Sequence, residues 1–176
     1  NVGEKTDVNV FAKIQYQLST SLSAFVDLQY RYINYDFLGK DENGSNVQQN
    51  DQLHFFNPKL GVNYQLDEQS RIYAFAGVAN REPNRNDYVE SSPSSRPRSE
   101  QMIDYELGYT YEAKRALLQA NAYFMDYTDQ LILTGQINDV GEYTRVNVAD
   151  SYRAGLELQA VAMLTNALQI NANATF

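Results

Sequence analysis

Residues 8–32 read VNVFAKIQYQLSTSLSAFVDLQYRY, and the order of apolar and polar side chains in this stretch decides the fold. Val8, Val10, Ala12, Ile14, Tyr16 and Leu18 alternate with Asn9, Lys13, Gln15 and Gln17, Phe11 being the one apolar exception. A period of two sends the two sets to opposite faces of a strand, whereas a helix would scatter both around its axis. After Ser19-Thr20-Ser21 the alternation resumes as Leu22, Ala24, Val26, Leu28, Tyr30 and Tyr32 against Ser23, Asp27, Gln29 and Arg31. The spacing predicts a hairpin of two long strands joined by a tight turn.

The same unit then recurs. A third strand over about 55–66 turns at Asp67-Glu68-Gln69-Ser70 into a fourth over about 71–80. A fifth, about 101–111, turns near 112–115 into a sixth ending near Tyr127. A seventh, about 152–161, turns near Thr165-Asn166 into an eighth whose apolar face is Leu168, Ile170, Ala172 and Ala174. The remaining links are long, running over about 34–52, 81–100 and 128–151. Short and long connections in strict alternation predict an all-β fold, an antiparallel transmembrane β-barrel wall of eight up-and-down strands. A soluble sandwich or lipocalin has no need of such regular alternation.

Composition agrees with strands. The chain carries 14 Tyr, 8 Phe and no Trp, and its polar residues favour Asn and Gln over Lys. No apolar run approaches the roughly 18 residues of a membrane helix, so a bilayer-spanning version of this chain has to be a closed barrel. A mean hydropathy of -0.52 fits, because alternate residues face water and cancel the apolar set. The net charge of -8, with 14 basic against 22 acidic residues, is unsuited to nucleic acid. The acidic excess suits solubilising loops, or a rim facing cationic or metal-bearing solutes. With no cysteine there is no disulfide or thiol chemistry. Residues 1–6 are polar and do not resemble a signal peptide.

Aromatics gather at two levels. Tyr30, Tyr32, Tyr35, Phe37, Phe55 and Phe56 crowd the long-link end, while Tyr16, Tyr64, Tyr109 and Tyr111 sit near the short turns. Rings at both levels match the two headgroup regions of a bilayer. Between them the polar face carries Lys13, Gln15, Asp27, Gln29, Lys59, Glu106, Asn121 and Glu157, which predicts a wet lumen or a wall against which a polar plug docks.

Little in the sequence suits catalysis. His54 is the only histidine and lies at a loop–strand junction beside Phe55 and Phe56, a place for a rim residue rather than for a triad or a metal ligand. Ser91-Ser92-Pro93-Ser94-Ser95 is loop composition without a nucleophile elbow. Asp36, Asp41, Glu42, Asn43 and Gly44 lack the ligand spacing of a calcium loop. The expectation is no enzyme, no catalytic residue, no metal site and no cofactor.

Four segments carry a family resemblance: YAFAGVANREPNRNDY at 73–88, SEQMIDYELGYTYEAKR at 99–115, LQANAYFMDYTDQLILTG at 118–135 and RVNVADSYRAGLELQA at 145–160. Their order and spacing resemble the C-terminal part of the barrel of TonB-dependent receptors, over about 55–176. The resemblance implies a larger plugged barrel of about 22 strands. It further implies an outer-membrane location in a Gram-negative bacterium, contact with outer-membrane lipid, and import of a scarce nutrient: a ferric chelate, haem, cobalamin or a glycan. Energy would come from TonB, through an N-terminal region that this chain lacks. Residues 1–176 would then be a partial barrel domain, with the plug and the earlier strands outside the chain. The competing expectation is a self-contained eight-stranded barrel acting as an anchor or adhesin, since eight strands can close alone.

For solute contact the second long link offers Arg81, Asn84, Arg85, Tyr88, Arg96 and Arg98. Guanidinium groups and a phenol suit anionic chelates or sugars. Packing of the same side chains against neighbouring loops is the alternative.

Overall fold

The computed structural model describes residues 2–38, 49–89, 96–137 and 143–176. The wall strands are β1 (Val2–Gln17), β2 (Leu22–Leu38), β3 (Gln49–Phe56), β4 (Lys59–Gln65), β5 (Ser70–Arg81), β6 (Glu100–Ala113), β7 (Ala116–Ile137), β8 (Tyr143–Met163) and β9 (Gln169–Thr175). All ladders are antiparallel and run between neighbours in sequence, in one sheet of order β1-β2-β4-β5-β6-β7-β8-β9 with β3 also on β2. β1 and β9 lie at the two ends of this order and form no ladder with each other, so the sheet stays open and the closed eight-stranded barrel is not what is observed.

Nine segments make eight wall strands. β3 pairs β2 as Tyr30↔Phe56 and β4 pairs it as Asp27↔Lys59, which is one unbroken register on either side of Asn57-Pro58. Pro58 has no N–H to give the ladder, so hydrogen bonding lapses there while the chain runs on. The predicted third strand therefore starts earlier, at Gln49.

The links are also shorter than the sequence implied. β2 reaches Leu38 and β3 begins at Gln49; β7 reaches Ile137 and β8 begins at Tyr143. The pairs continue as ribbons past the span of about 9–11 residues that a bilayer requires. On β2 the outward set shows the crossing point: Val26, Leu28 and Tyr30 are followed by Asn34 and Asp36, which bond each other and Asn50 of β3.

The register places Ala12, Ile14, Val26, Leu28, Leu60, Val62, Leu107, Leu118 and Leu158 on one face, and Gln15, Gln29, Glu106, Asn121 and Glu157 on the other. On the first face Ile14 is 70% exposed and Leu107 58%. A continuous apolar band this open is stable against lipid and costly in water. Tyr16, Tyr64 and Tyr109 share that face at the short-turn end; Tyr30 and Tyr32 share it at the other, flanking His54. His54 accepts or donates through Nδ1 with the Tyr30 hydroxyl at 2.7 Å, a satisfied position in the aromatic belt.

The opposite face holds a device that the period of two does not reveal. Phe25 stands opposite Gly61, Tyr73 opposite Gly108 and Tyr123 opposite Gly155, and each ring occupies the space that a side chain at its glycine would take. A Cβ at Gly108 would come within 1.9 Å of the Tyr73 ring. Rings folded onto bare backbone keep the inner wall low in relief and strap adjacent strands together.

Candidate functional site

The chemistry gathers at the long-link end of the inner face, where β5 ends and residues 82–89 turn back across the sheet. The sequence supplies the turn. Pro83 fixes one backbone angle and is fully buried, and Asn84 and Asp87 close a reciprocal pair of side-chain to backbone bonds, 2.8 and 3.0 Å long. The short helix α1 (Arg85–Val89) is the result. It was not foreseen from the sequence, where this stretch reads as loop.

Three side chains of the segment, Glu82, Asp87 and Tyr88, hold it to distant strands. The Glu82 carboxylate accepts from Lys5 of β1 at 2.8 Å and from Arg31 of β2 at 2.9 Å, while Arg31 also grips Asp7. The Tyr88 hydroxyl donates to Asp51 of β3, and its ring meets Tyr35 edge-on at 6.3 Å. Asp87 pairs with Arg145 of β8 at 2.8 Å. Burial first, and then the Asp51 carboxylate, push the Tyr88 phenol above its ordinary range. Ile33, Phe55, Pro83 and Tyr88 are the apolar residues that this crossing segment seals from solvent. Sequence reasoning placed Tyr88 as a contact residue; its side chain is only 5% exposed and helps form the seal.

A second knot lies between β6, β7 and β8. Asp129 is left-handed, with φ 55°, the one non-glycine residue of positive φ among the described residues. Beyond Thr128 the ladder to β6 ends, and side chains replace it. Glu100, 8% exposed, accepts the Leu131 N–H at 2.8 Å, and Arg81 bonds both Glu100 and the Leu131 carbonyl. Arg98 donates to Asp129, and Asn147 bonds the Arg98 N–H, the Arg98 carbonyl and the Asp129 carbonyl. The strained backbone at Asp129 is thus over-determined by its neighbours.

Between the two knots lies a cavity of about 320 Å³, lined by Arg81, Glu82, Asn84, Asp87, Leu131, Leu133 and Arg145. Of the residues anticipated from sequence, Arg81 and Asn84 line it, Tyr88 is packed beneath the segment and Arg98 is tied to Asp129. Arg85 and Arg96 are exposed. Arg145, Asp87, Glu82 and Asp129 were not singled out, since pairing partners up to 77 positions apart leave no local signal. Asp41, Glu42, Asn43, Gly44 and Ser91–Ser95 lie outside the described residues. No cluster of three or more His, Cys, Asp or Glu side chains that could hold a metal ion occurs among the described residues.

An apolar outer face between two tyrosine belts, a polar inner face and one mouth built up by long ribbons define the wall of an outer-membrane type β-barrel. The family model for the TonB dependent receptor-like β-barrel matches residues 1–176, and the chain belongs to that family. Solved structures agree in fold. The copper transporter OprC aligns with a TM-score of 0.80 at 16% identity, over 97% of this chain and 28% of its own. The FrpB iron transporter of Neisseria meningitidis (F3-3 variant) aligns at 0.73 and 19%, over 98% and 25%. A double mutant of the Serratia marcescens hemophore receptor HasR, solved with its hemophore HasA and heme, aligns at 0.74 and 16%, over 98% and 34%. The chain thus spans 25–34% of the length of these neighbours. No curated protein sequence matches it.

Proposed function

We propose that this chain is part of the outer-membrane barrel of a receptor that binds and imports a scarce nutrient. In this reading residues 1–176 are a partial barrel domain, with the plug and the earlier strands lying outside it. The receptor sits in the outer membrane of a Gram-negative bacterium with its apolar face against lipid. TonB drives transport through a region beyond this chain, and no catalytic chemistry is involved. The observation that carries the reading is the family-matched wall whose inner face is crossed at the mouth by a segment held with ion pairs. Solute contact falls to that mouth, with Arg81, Asn84, Arg85, Tyr88, Arg96 and Arg98 as its side chains, in part by direct contact and in part by holding the frame.

The solved neighbours name copper, iron and heme as what those proteins handle, which supports a metal-bearing solute. The test is uptake. Cells expressing the full-length receptor are to accumulate radiolabelled ferric chelates, haem or copper, and lose that accumulation when TonB is deleted. Accumulation indifferent to TonB, or no accumulation of any metal-bearing solute, contradicts the reading.

A further inference from the structure

We propose that Met102, Met125 and Asp104 form a site on the inner wall, just below the mouth, for a soft monovalent metal ion of the copper(I) or silver(I) kind. The site belongs to the wall itself and goes beyond the import reading, since it stands whichever solute the receptor carries.

The chain has three methionines, and two of them meet here. Met102 and Asp104 are alternate residues of β6, on the face that also carries Glu106. Met125 of β7 stands directly opposite Asp104, and Tyr127 directly opposite Met102. Opposed side chains start about 5 Å apart and diagonal ones about 7 Å, within reach of long side chains. The two methionines lie on such a diagonal beside Asp104, and their unbranched stems let both sulfurs turn to one point. The Tyr127 hydroxyl donates to the Met125 sulfur at 3.5 Å, so this thioether is held by the residue that faces Met102. Both methionines are half-buried, and both keep part of their surface toward the lumen.

Asp104 supplies an independent observation. It is 9% exposed, and its Oδ1 has no hydrogen-bond partner. Glu106 on the same face is better served, accepting from Tyr73 at 3.0 Å and from Asn121 at 3.4 Å. Gly77 faces Asp104 from β5 and offers it no side chain. Lys59 runs beside Gly77 and Arg153 lies over the Tyr127 ring, yet neither bonds the free oxygen. A buried carboxylate oxygen without a donor is costly, and a cation beside it removes that cost.

The neighbouring atoms select the cation. Calcium takes six to eight oxygen ligands, and here there is a single carboxylate. Zinc sites are built from His, Cys and carboxylate groups, and no group of three or more such residues occurs among the described residues. Thioethers favour soft ions, copper(I) above all. One positive charge on such an ion matches the one negative charge of Asp104.

The test measures silver(I) bound to purified full-length receptor in nonionic detergent and chloride-free nitrate buffer. Silver(I) is soft and monovalent, and it needs no reductant to stay so. Wild type is compared with Met102→Leu, Met125→Leu, a replacement that conserves side-chain volume. The double variant is expected to lose a single silver ion per receptor, and X-ray absorption at the silver edge to lose the matching sulfur scattering. Asp104→Asn is expected to keep that ion at about tenfold lower affinity. Zinc(II) is expected not to occupy the site. A heat-modifiable band on unboiled gels establishes that each variant is folded. Equal silver in wild type and the double variant overturns the site, as does a wild type that takes up no silver. Unchanged affinity in Asp104→Asn removes the carboxylate and overturns the site as drawn. Zinc(II) held as tightly as silver, and lost with Asp104→Asn, overturns the soft-metal assignment.

Discussion

Asp87 and Arg145 are 58 positions apart and meet at 2.8 Å, with the Asp87 carboxylate 6% exposed and the Arg145 guanidinium 34% exposed. The acid is the buried member, so the cation's removal leaves a carboxylate screened from water and held by the Asn84 N–H with no countercharge. Arg145→Ala is predicted to loosen residues 82–89 by about 2 kcal/mol, and the charge-neutral double replacement with Asp87→Asn by much less. Hydrogen exchange on the full-length receptor reads this directly. The Tyr88 amide should exchange about 30-fold faster in the single variant while β7 and β8 amides keep their protection. Equal exchange in wild type and variant means the ion pair holds nothing.

The inner-face glycines give a second prediction. Gly108→Val would set a branched side chain where the Tyr73 ring lies, and the ring cannot withdraw without giving up its bonds to Glu106 and Asn121. The expected cost is about 2 kcal/mol, in the range of overpacked cores. Tyr73→Ala in the same chain should restore part of the loss, since the ring and the new side chain compete for one space. Refolding yield into detergent micelles, followed by the heat-modifiable band, checks the cycle. Additive losses in the double variant would deny that the ring and the glycine fit each other.

A pH prediction follows from Tyr88, which lies outside the membrane span. Its folded phenol keeps its proton to higher pH than the unfolded one, because burial and then Asp51 disfavour the phenolate. The stability it contributes is complete below the ordinary phenol pKa of about 10 and declines as pH climbs beyond it. A nitroxide attached at position 84 should therefore gain mobility steadily above about pH 10 in the wild type. Tyr88→Phe should show no such alkaline limb. An identical limb in both would assign the transition to another group.

The wall was legible because its two faces face two solvents, and every second residue from Val8 to Leu18 and from Leu22 to Tyr32 reports which one. Asn57-Pro58 was legible only in part: proline signals a missing ladder bond but not that the register survives it. The mouth was much less so. Glu82 owes its position to Lys5 and Arg31, Asp87 to Arg145 and Arg98 to Asp129, and such partners are joined by the topology rather than by spacing. Arginines that look alike in the link at 81–100 therefore divide into bound and unbound only once the strands are in place. The residues facing Gly61, Gly108 and Gly155 escaped notice for the same reason, because a ring and its glycine sit on different strands.

The central claim is that one face of this sheet meets lipid and the other meets water, in the register that pairs Leu28 and Gln29 into neighbouring positions on β2. Nitroxides attached at positions 28 and 29 of the full-length receptor in outer-membrane lipid, probed with oxygen and a water-soluble nickel chelate, measure this most directly. The account predicts high oxygen and low nickel collision at position 28, and the opposite at position 29. Nickel access at position 28 together with oxygen access at position 29 would contradict it.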